Sequence, residues 1–245
     1  MDARRERGGA FLLLIDPDSS TKKDYLTAAE AAESCGVDGL LVGSSFVLKS
    51  HFVEAVREIK GATNLPVIIF PGSASQVTPN ADAILFTSLL SGRNPQYLID
   101  EQVKGAPMVK QAGLEVIPTG YLLIESSGLT SVQFVSSTLP IPRTKHDIAC
   151  AHALAAQYLG MKTVYLEAGS GARLSVPDEM VTAVSSYINI PVIVGGGLTT
   201  PEECASKISA GASIVVVGNH LEQDPRLSRL REMTAAAHPL QQVNV

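Results

Sequence analysis

Cysteine is scarce in this chain. Three residues, Cys35, Cys150 and Cys204, are spread over 245 positions. No two are spaced as C-x-x-C, which excludes a zinc ribbon and a disulfide framework. Each lies in a stretch of helical character, where a free thiol serves as a small hydrophobe, and reduced thiols suit a cytoplasmic protein. Charge is also thin: charged residues make up 18% of the chain, against roughly 25% in an average domain. With a formal net charge of -5 and no run of charge beyond Arg4, Arg5, Glu6 and Arg7, the chain is a poor nucleic-acid binder. No apolar run approaches the roughly 20 residues of a membrane-spanning helix. The run Phe11 to Ile15 behind Arg4 and Arg5 stops at Asp16, too early for the core of a signal peptide. A lipid substrate would be met from the water side, with at most peripheral membrane contact. The histidines (His51, His146, His152, His220 and His238) show no metal-ligand spacing, and His220 is expected at the surface or behind the site.

Hydrophobic residues are plentiful at 45%, and they come in a repeating order. Eight short apolar runs begin at Phe11, Gly39, Pro66, Ala83, Leu114, Thr163, Pro191 and Ser213. They are rich in β-branched residues and apolar almost throughout, as parallel strands covered on both faces are. Between them lie segments with helical spacing: 24–35, 46–59, 94–110, 144–159, 177–188, 201–210 and 221–236. Gly36, Gly160 and Gly211 fall where a helix ends in the left-handed conformation. Pro177 and Pro201 fall in a first helical turn, with Thr200 as N-cap. Eight alternations in about 250 residues predict a single (β/α)8 TIM barrel spanning 1–245. An open doubly wound sheet would want a G-x-G-x-x-G after the first strand, and Asp-Pro-Asp stands there instead. The third helix is expected to be irregular or missing, because 71–80 holds Gly72 and Pro79. The Ser/Thr/Pro-rich segment 121–142 is long for a connection and is expected to act as a lid. Residues 239–245 read as a flexible tail.

In such a barrel the catalytic groups follow the strands, at the C-terminal mouth. Gly195, Gly196 and Gly197 follow the seventh strand; Gly218 and Asn219 follow the eighth. These two loops commonly bind phosphate through backbone N–H groups, and glycine permits the close approach. The helix starting at Pro201 would add the favourable field of its N-terminus. Tyr165, Leu166, Glu167, Ala168, Gly169, Ser170, Gly171 and Ala172 close the sixth strand. Glu167 would face the mouth and could orient or deprotonate a hydroxyl; a structural ion pair is the competing role. After the first strand, Asp16 is a candidate Mg2+ ligand, with Asp18 secondary or a cap for the helix starting near Thr21. Gly43, Ser44 and Ser45 follow the second strand, where a hydroxyl could complete the metal shell or cap a helix.

In combination, IDPD (from Ile15), VGSS (from Val42), FPGS (from Phe70), ADAILFTSLLSGRNPQYLI (from Ala81), EVIPTGYLLI (from Glu115), YLEAGSGA, VGGG and VVGN (from Val216) are specific. They resemble the geranylgeranylglyceryl phosphate synthase family, which includes the heptaprenylglyceryl phosphate synthases. The resemblance runs from about Phe11 to Gln223. It implies a (β/α)8 barrel that joins sn-glycerol 1-phosphate to a prenyl diphosphate through an ether bond. It also implies Asp16 and Ser45 as Mg2+ ligands, Tyr165 to Gly171 around the glycerol phosphate with Glu167 on its hydroxyls, and Gly196, Gly197, Gly218 and Asn219 on its phosphate. Tyr97 would border the prenyl groove, and the assembly would be a homo-oligomer, dimer or hexamer. Two positions depart from the family pattern: Ser19 stands where many relatives carry Lys, and Ser44 replaces a glycine.

The tail channel is expected among Phe86, Leu89, Leu90, Tyr97 and Tyr121. Geranylgeranyl diphosphate is the expected donor, with heptaprenyl as the alternative. A sugar-phosphate isomerase or an aldolase is a competing class, but none of the eight runs ends in the lysine an aldolase needs. A non-catalytic phosphate-binding barrel would have little use for Asp16 and Glu167 together.

Overall fold

The computed structural model describes residues 2–45, 51–218 and 228–240. Eight parallel strands form a closed barrel in sequence order. They are β1 (Ala10–Ile15), β2 (Gly39–Val42), β3 (Val67–Ile69), β4 (Ala83–Leu89), β5 (Glu115–Leu123), β6 (Thr163–Glu167), β7 (Val192–Gly195) and β8 (Ile214–Val217). Pairing of Leu12 with Val216 joins the last strand to the first. The helices are α1 (Asp2–Arg7), α2 (Lys22–Ala32), α3 (Phe52–Ala62), α4 (Glu101–Ala112), α5 (Ser131–Ser136), α6 (His146–Tyr158), α7 (Asp178–Tyr187), α8 (Pro201–Ser209) and α9 (Ser228–Ala237). The chain is a (β/α)8 barrel, as its alternation predicts.

Successive strand residues point to opposite faces, and both faces are dry here. Phe11, Leu13 and Ile15 of β1 pack in the shell beneath the helices. Leu12, Leu41, Leu85, Tyr121, Tyr165, Ile193 and Val216 fill the barrel interior. Continuous apolarity along each strand is the sequence signature of this two-sided burial.

Between β3 and β4 there is only a 3-10 turn, Ala74–Gln76, so the third helix is indeed missing. The proline and glycine around it, and the length of only 71–80, leave no room for one. β5 runs further than the sequence suggests. It continues through Pro118 to Leu123 and pairs with β4 at seven positions, Ala83 to Leu89. A proline ring fits an extended backbone and removes only one ladder donor, so the strand survives it. Tyr121 is therefore a barrel residue rather than the start of a lid.

Other boundaries differ in detail. Thr21, not Asp18, caps α2, in a capping box with Asp24. The helix expected over 94–110 opens as a π-helical segment, Gln96–Asp100, before α4. Residues 46–50 and 221–227 of two expected helices lie outside the described residues. The first two residues of the expected tail are held: Leu240 N–H donates to the Arg7 carbonyl at 3.1 Å.

Helix α1 was not legible in the sequence, and one carboxylate anchors it. Asp38, just before β2, accepts from Arg7 Nη1 at 2.9 Å, from Phe11 N–H at 2.7 Å and from His238 Nε2 at 2.8 Å. His238 is buried. The chain start, two strands and the end of α9 thus meet at the N-terminal face, opposite the mouth. Asp38→Ala should lower the unfolding free energy by roughly 3 kcal/mol, since it strands buried partners. Urea unfolding would check this; a loss under about 0.5 kcal/mol, the range of a neutral surface change, would show that the clamp carries no weight.

Candidate active site

Inside β6 the alternation turns Tyr165 and Glu167 inward and Leu166 and Ala168 outward. Leu166 and Ala168 pack in the helix-facing shell, so their side chains do not reach the mouth. Glu167 closes the strand at 5% exposure. Its Oε1 accepts from the Gly169 N–H at 2.6 Å. Burial raises its pKa to about 7, and the Gly169 N–H and the Tyr165 hydroxyl offset only part of that. Below it Tyr165 stacks on Phe70, ring centres 5.2 Å apart, and meets Tyr121 at 5.4 Å. The Tyr165 hydroxyl is buried beside the Glu167 carboxylate, the acceptor nearest to it. Burial, and then the neighbouring carboxylate, hold it well above the ordinary phenol range. It is a fixed donor.

The glycine loops surround this acid. A Cβ on Gly196 would lie 2.2 Å from Glu167 Oε1, and one on Gly195 would lie 2.2 Å from the Tyr165 hydroxyl. Gly196 also has φ +81, a conformation that favours glycine. Gly169, Ser170, Gly171, Gly197 and Gly218 line the same cleft; Asn219 lies outside the described residues. The N-terminus of α8 carries its own cap. Thr200 and Glu203 close it with a capping box, and Glu203 Oε2 takes the N–H groups of Thr199 at 2.6 Å and Thr200 at 3.1 Å. Glu203 thus takes two N–H groups just before the helix, next to the end expected to face a phosphate.

Across the mouth, Asp16 follows β1 half-buried. Burial raises its pKa. Its Oδ1 accepts from Asp18 N–H at 2.9 Å, and the Ser44 side chain hydrogen-bonds to it as well. Ser45 is exposed and lines the rim of the cleft. Among the described residues neither Asp16 nor Glu167 is in an ion pair. Nor do three or more His, Cys, Asp or Glu side chains gather as a metal cage there. A hard cation at Asp16 would need hydroxyl, water and substrate oxygens, which is how Mg2+ is commonly held.

The cleft has a second, apolar arm, lined by Phe70, Phe86, Leu89, Tyr97, Tyr121, Val132 and Val135. It continues past Ala74, Val77, Ile84 and Val109, the gap left by the missing third helix. Leu90, also expected there, packs against the helix-facing shell instead. Helix α5 supplies Val132 and Val135, so the segment expected to be a lid does border the mouth.

Glu167 makes a stability prediction with a definite sign. Its folded pKa, about 7, exceeds its ordinary value of 4.5. The folded state therefore holds a proton that the unfolded state releases, and stability falls as pH rises from about 4.5 to 7. Glu167→Gln removes that fall. The variant should gain on the wild type across this window, by at most about 3 kcal/mol, and the gap should stay constant above it. Thermal melts from pH 4.5 to 8.5 would check this; parallel curves would refute the raised pKa.

The chain matches the PcrB family over residues 1–237. It is 44% identical over 229 residues to geranylgeranylglyceryl phosphate synthase of Chitinophaga pinensis, covering 94% of this chain and 90% of that one. The enzyme of the same name from Thermococcus kodakarensis is 44% identical over 228 residues, 93% and 90% of the two chains. In three dimensions it is similar to the crystal structure of (S)-3-O-geranylgeranylglyceryl phosphate synthase from Thermoplasma acidophilum in complex with substrate sn-glycerol-1-phosphate. That match has a TM-score of 0.91 at 37% identity and covers 97% of both chains. A tryptophan synthase from Mycobacterium tuberculosis, at 17% identity and TM-score 0.62, shares the fold alone. This chain belongs to the PcrB family, together with these geranylgeranylglyceryl phosphate synthases.

Proposed function

We propose that this protein joins sn-glycerol 1-phosphate to geranylgeranyl diphosphate through an ether bond, releasing diphosphate, with Mg2+ as its metal. One observation carries the reading. A single cleft combines two carboxylates that lack cationic partners among the described residues, glycine loops facing the same mouth, and a long apolar arm. The competing isomerase and aldolase readings have no use for that arm.

The glycerol phosphate sits over Gly196, Gly197, Gly218 and Asn219, with Ser170 and Gly171 beside its phosphate. Glu167 holds a glycerol hydroxyl. As that oxygen bonds to the allylic carbon, the carbon's bond to the diphosphate oxygen breaks and the electron pair leaves with the diphosphate. The hydroxyl proton passes to Glu167, whose pKa near 7 suits a base working at neutral pH. Asp16 and Ser45 would hold Mg2+, with Ser44 on the Asp16 carboxylate; the ion, when bound, neutralises the leaving diphosphate. Holding both substrates in one cleft supplies much of the remaining advantage. Among the described residues no helix is long and apolar enough to cross a membrane, which fits an enzyme working from the aqueous, cytoplasmic side. Exposed Leu129, Phe134 and Leu139 suit a homo-oligomer.

Radiolabelled geranylgeranyl diphosphate tests the proposal. An ether lipid should form from sn-glycerol 1-phosphate with Mg2+, and neither with EDTA nor from sn-glycerol 3-phosphate. Absence of product with every prenyl donor would overturn it. Glu167→Gln should lower kcat by about 100-fold or more while the protein stays folded; near-normal turnover would remove Glu167 from the chemistry.

A further inference from the structure

We propose that Gln76 is a positioning residue for the diphosphate end of the cleft: its buried amide ties the β3 loop to the β2 loop and so sets Ser44 against Asp16. The inference rests on the reading above.

Gln76 ends the short turn that replaces the third helix. It is 1% exposed and does not line the cleft. Both ends of its amide are used. Oε1 accepts from the Gly72 N–H, and Nε2 donates to the Ser44 carbonyl at 3.2 Å. The Ser44 side chain in turn hydrogen-bonds the Asp16 carboxylate. Three mouth loops are thereby joined in one relay.

The loops are pressed together where the relay runs. A Cβ on Gly43 would lie 1.8 Å from the Phe70 carbonyl oxygen, and one on Gly72 would lie 2.4 Å from the Ser44 carbonyl oxygen. Where two backbones come this close, an amide is the side chain that offers a carbonyl a donor while accepting from a neighbouring N–H. Glutamate keeps the acceptor and loses the donor. On its other side the turn is fixed by Ala74 N–H, which donates to Glu101 Oε2 of α4 at 2.8 Å. The turn is thus clamped between the wall of the apolar arm and the Asp16 corner, so the tail end and the diphosphate end are held in one frame.

A merely structural amide and a positioning one predict different results. The test uses the full chain and two probes: Mn2+ with inorganic pyrophosphate, followed by electron paramagnetic resonance, and sn-glycerol 1-phosphate, followed by calorimetry. Gln76→Glu should weaken Mn2+-pyrophosphate binding by about tenfold or more, as loss of an outer partner of a metal site does. Its affinity for sn-glycerol 1-phosphate, on the opposite side of the mouth, should stay within about twofold of wild type, inside the error of an unperturbed site. Ser44→Ala, which leaves the buried amide intact, should reproduce the same selective loss. Equal weakening of both probes in Gln76→Glu, no weakening of either, or an unchanged Mn2+-pyrophosphate affinity in Ser44→Ala would overturn the inference. A wild type that forms no ether product would instead sink the proposed function. An active wild type with an indifferent Gln76→Glu would sink the positioning role alone.

Discussion

A strand in a closed parallel barrel presents its side chains alternately to two dry compartments, and everything at this mouth depends on where that alternation ends in β6. Tyr165 and Glu167 fall on the inner face. An acid at that position loses its water, and among the described residues it gains no cation in return. Its pKa rises for that reason. The neighbouring strand must then yield space: Gly195 and Gly196 stand where any side chain would collide with the phenol or the carboxylate. The glycine loop that reads as a phosphate site is thus also the cavity wall that lets Glu167 exist there.

The same constraint explains why the cleft has two unlike arms. The polar arm is made of strand ends and loops from β1, β2, β6, β7 and β8. The apolar arm opens beside β3 and β4, where a helix would ordinarily cover the shell. Removing that helix exposes Ile84 and Val109, which are shell residues, to the cleft. A charged head and a long hydrocarbon tail can then be bound side by side. The hydrocarbon contributes roughly 25 cal/mol for each Å² it hides from water, while the head is positioned by charge and hydrogen bonds.

Much of this was legible in the residues. Near-continuous apolarity located all eight strands, because two-sided burial leaves little room for polar positions. Proline and glycine in 71–80 announced the missing helix. Motif residues placed Asp16, Glu167 and the glycine loops at one mouth, and Asp16, Glu167, Gly169, Gly171, Gly196, Gly197 and Gly218 line one cleft. The failures have physical reasons. Pro118 looked like a strand end, yet an extended backbone tolerates it. Thr200 was legible as the N-cap of α8, and the Thr-x-x-Glu pattern that completes its capping box with Glu203 was present too. Leu166 and Ala168 belong to the motif, but strand alternation turns their side chains away. Gln76 gave no signal at all, since a lone glutamine in a short loop is ordinarily solvated, and only the pressed loops make it a buried tie.

The account turns on one group, the buried acid that is to receive a proton near neutral pH. Carboxyl-labelled glutamate, with the Glu167 resonance identified by its loss in Glu167→Gln, would give its titration directly by NMR in the ligand-free protein. The account predicts a midpoint near 7. A midpoint at the ordinary glutamate value of 4.5 would mean that the site is wet, that Glu167 is ionised throughout the working range, and that burial does not tune it as a base.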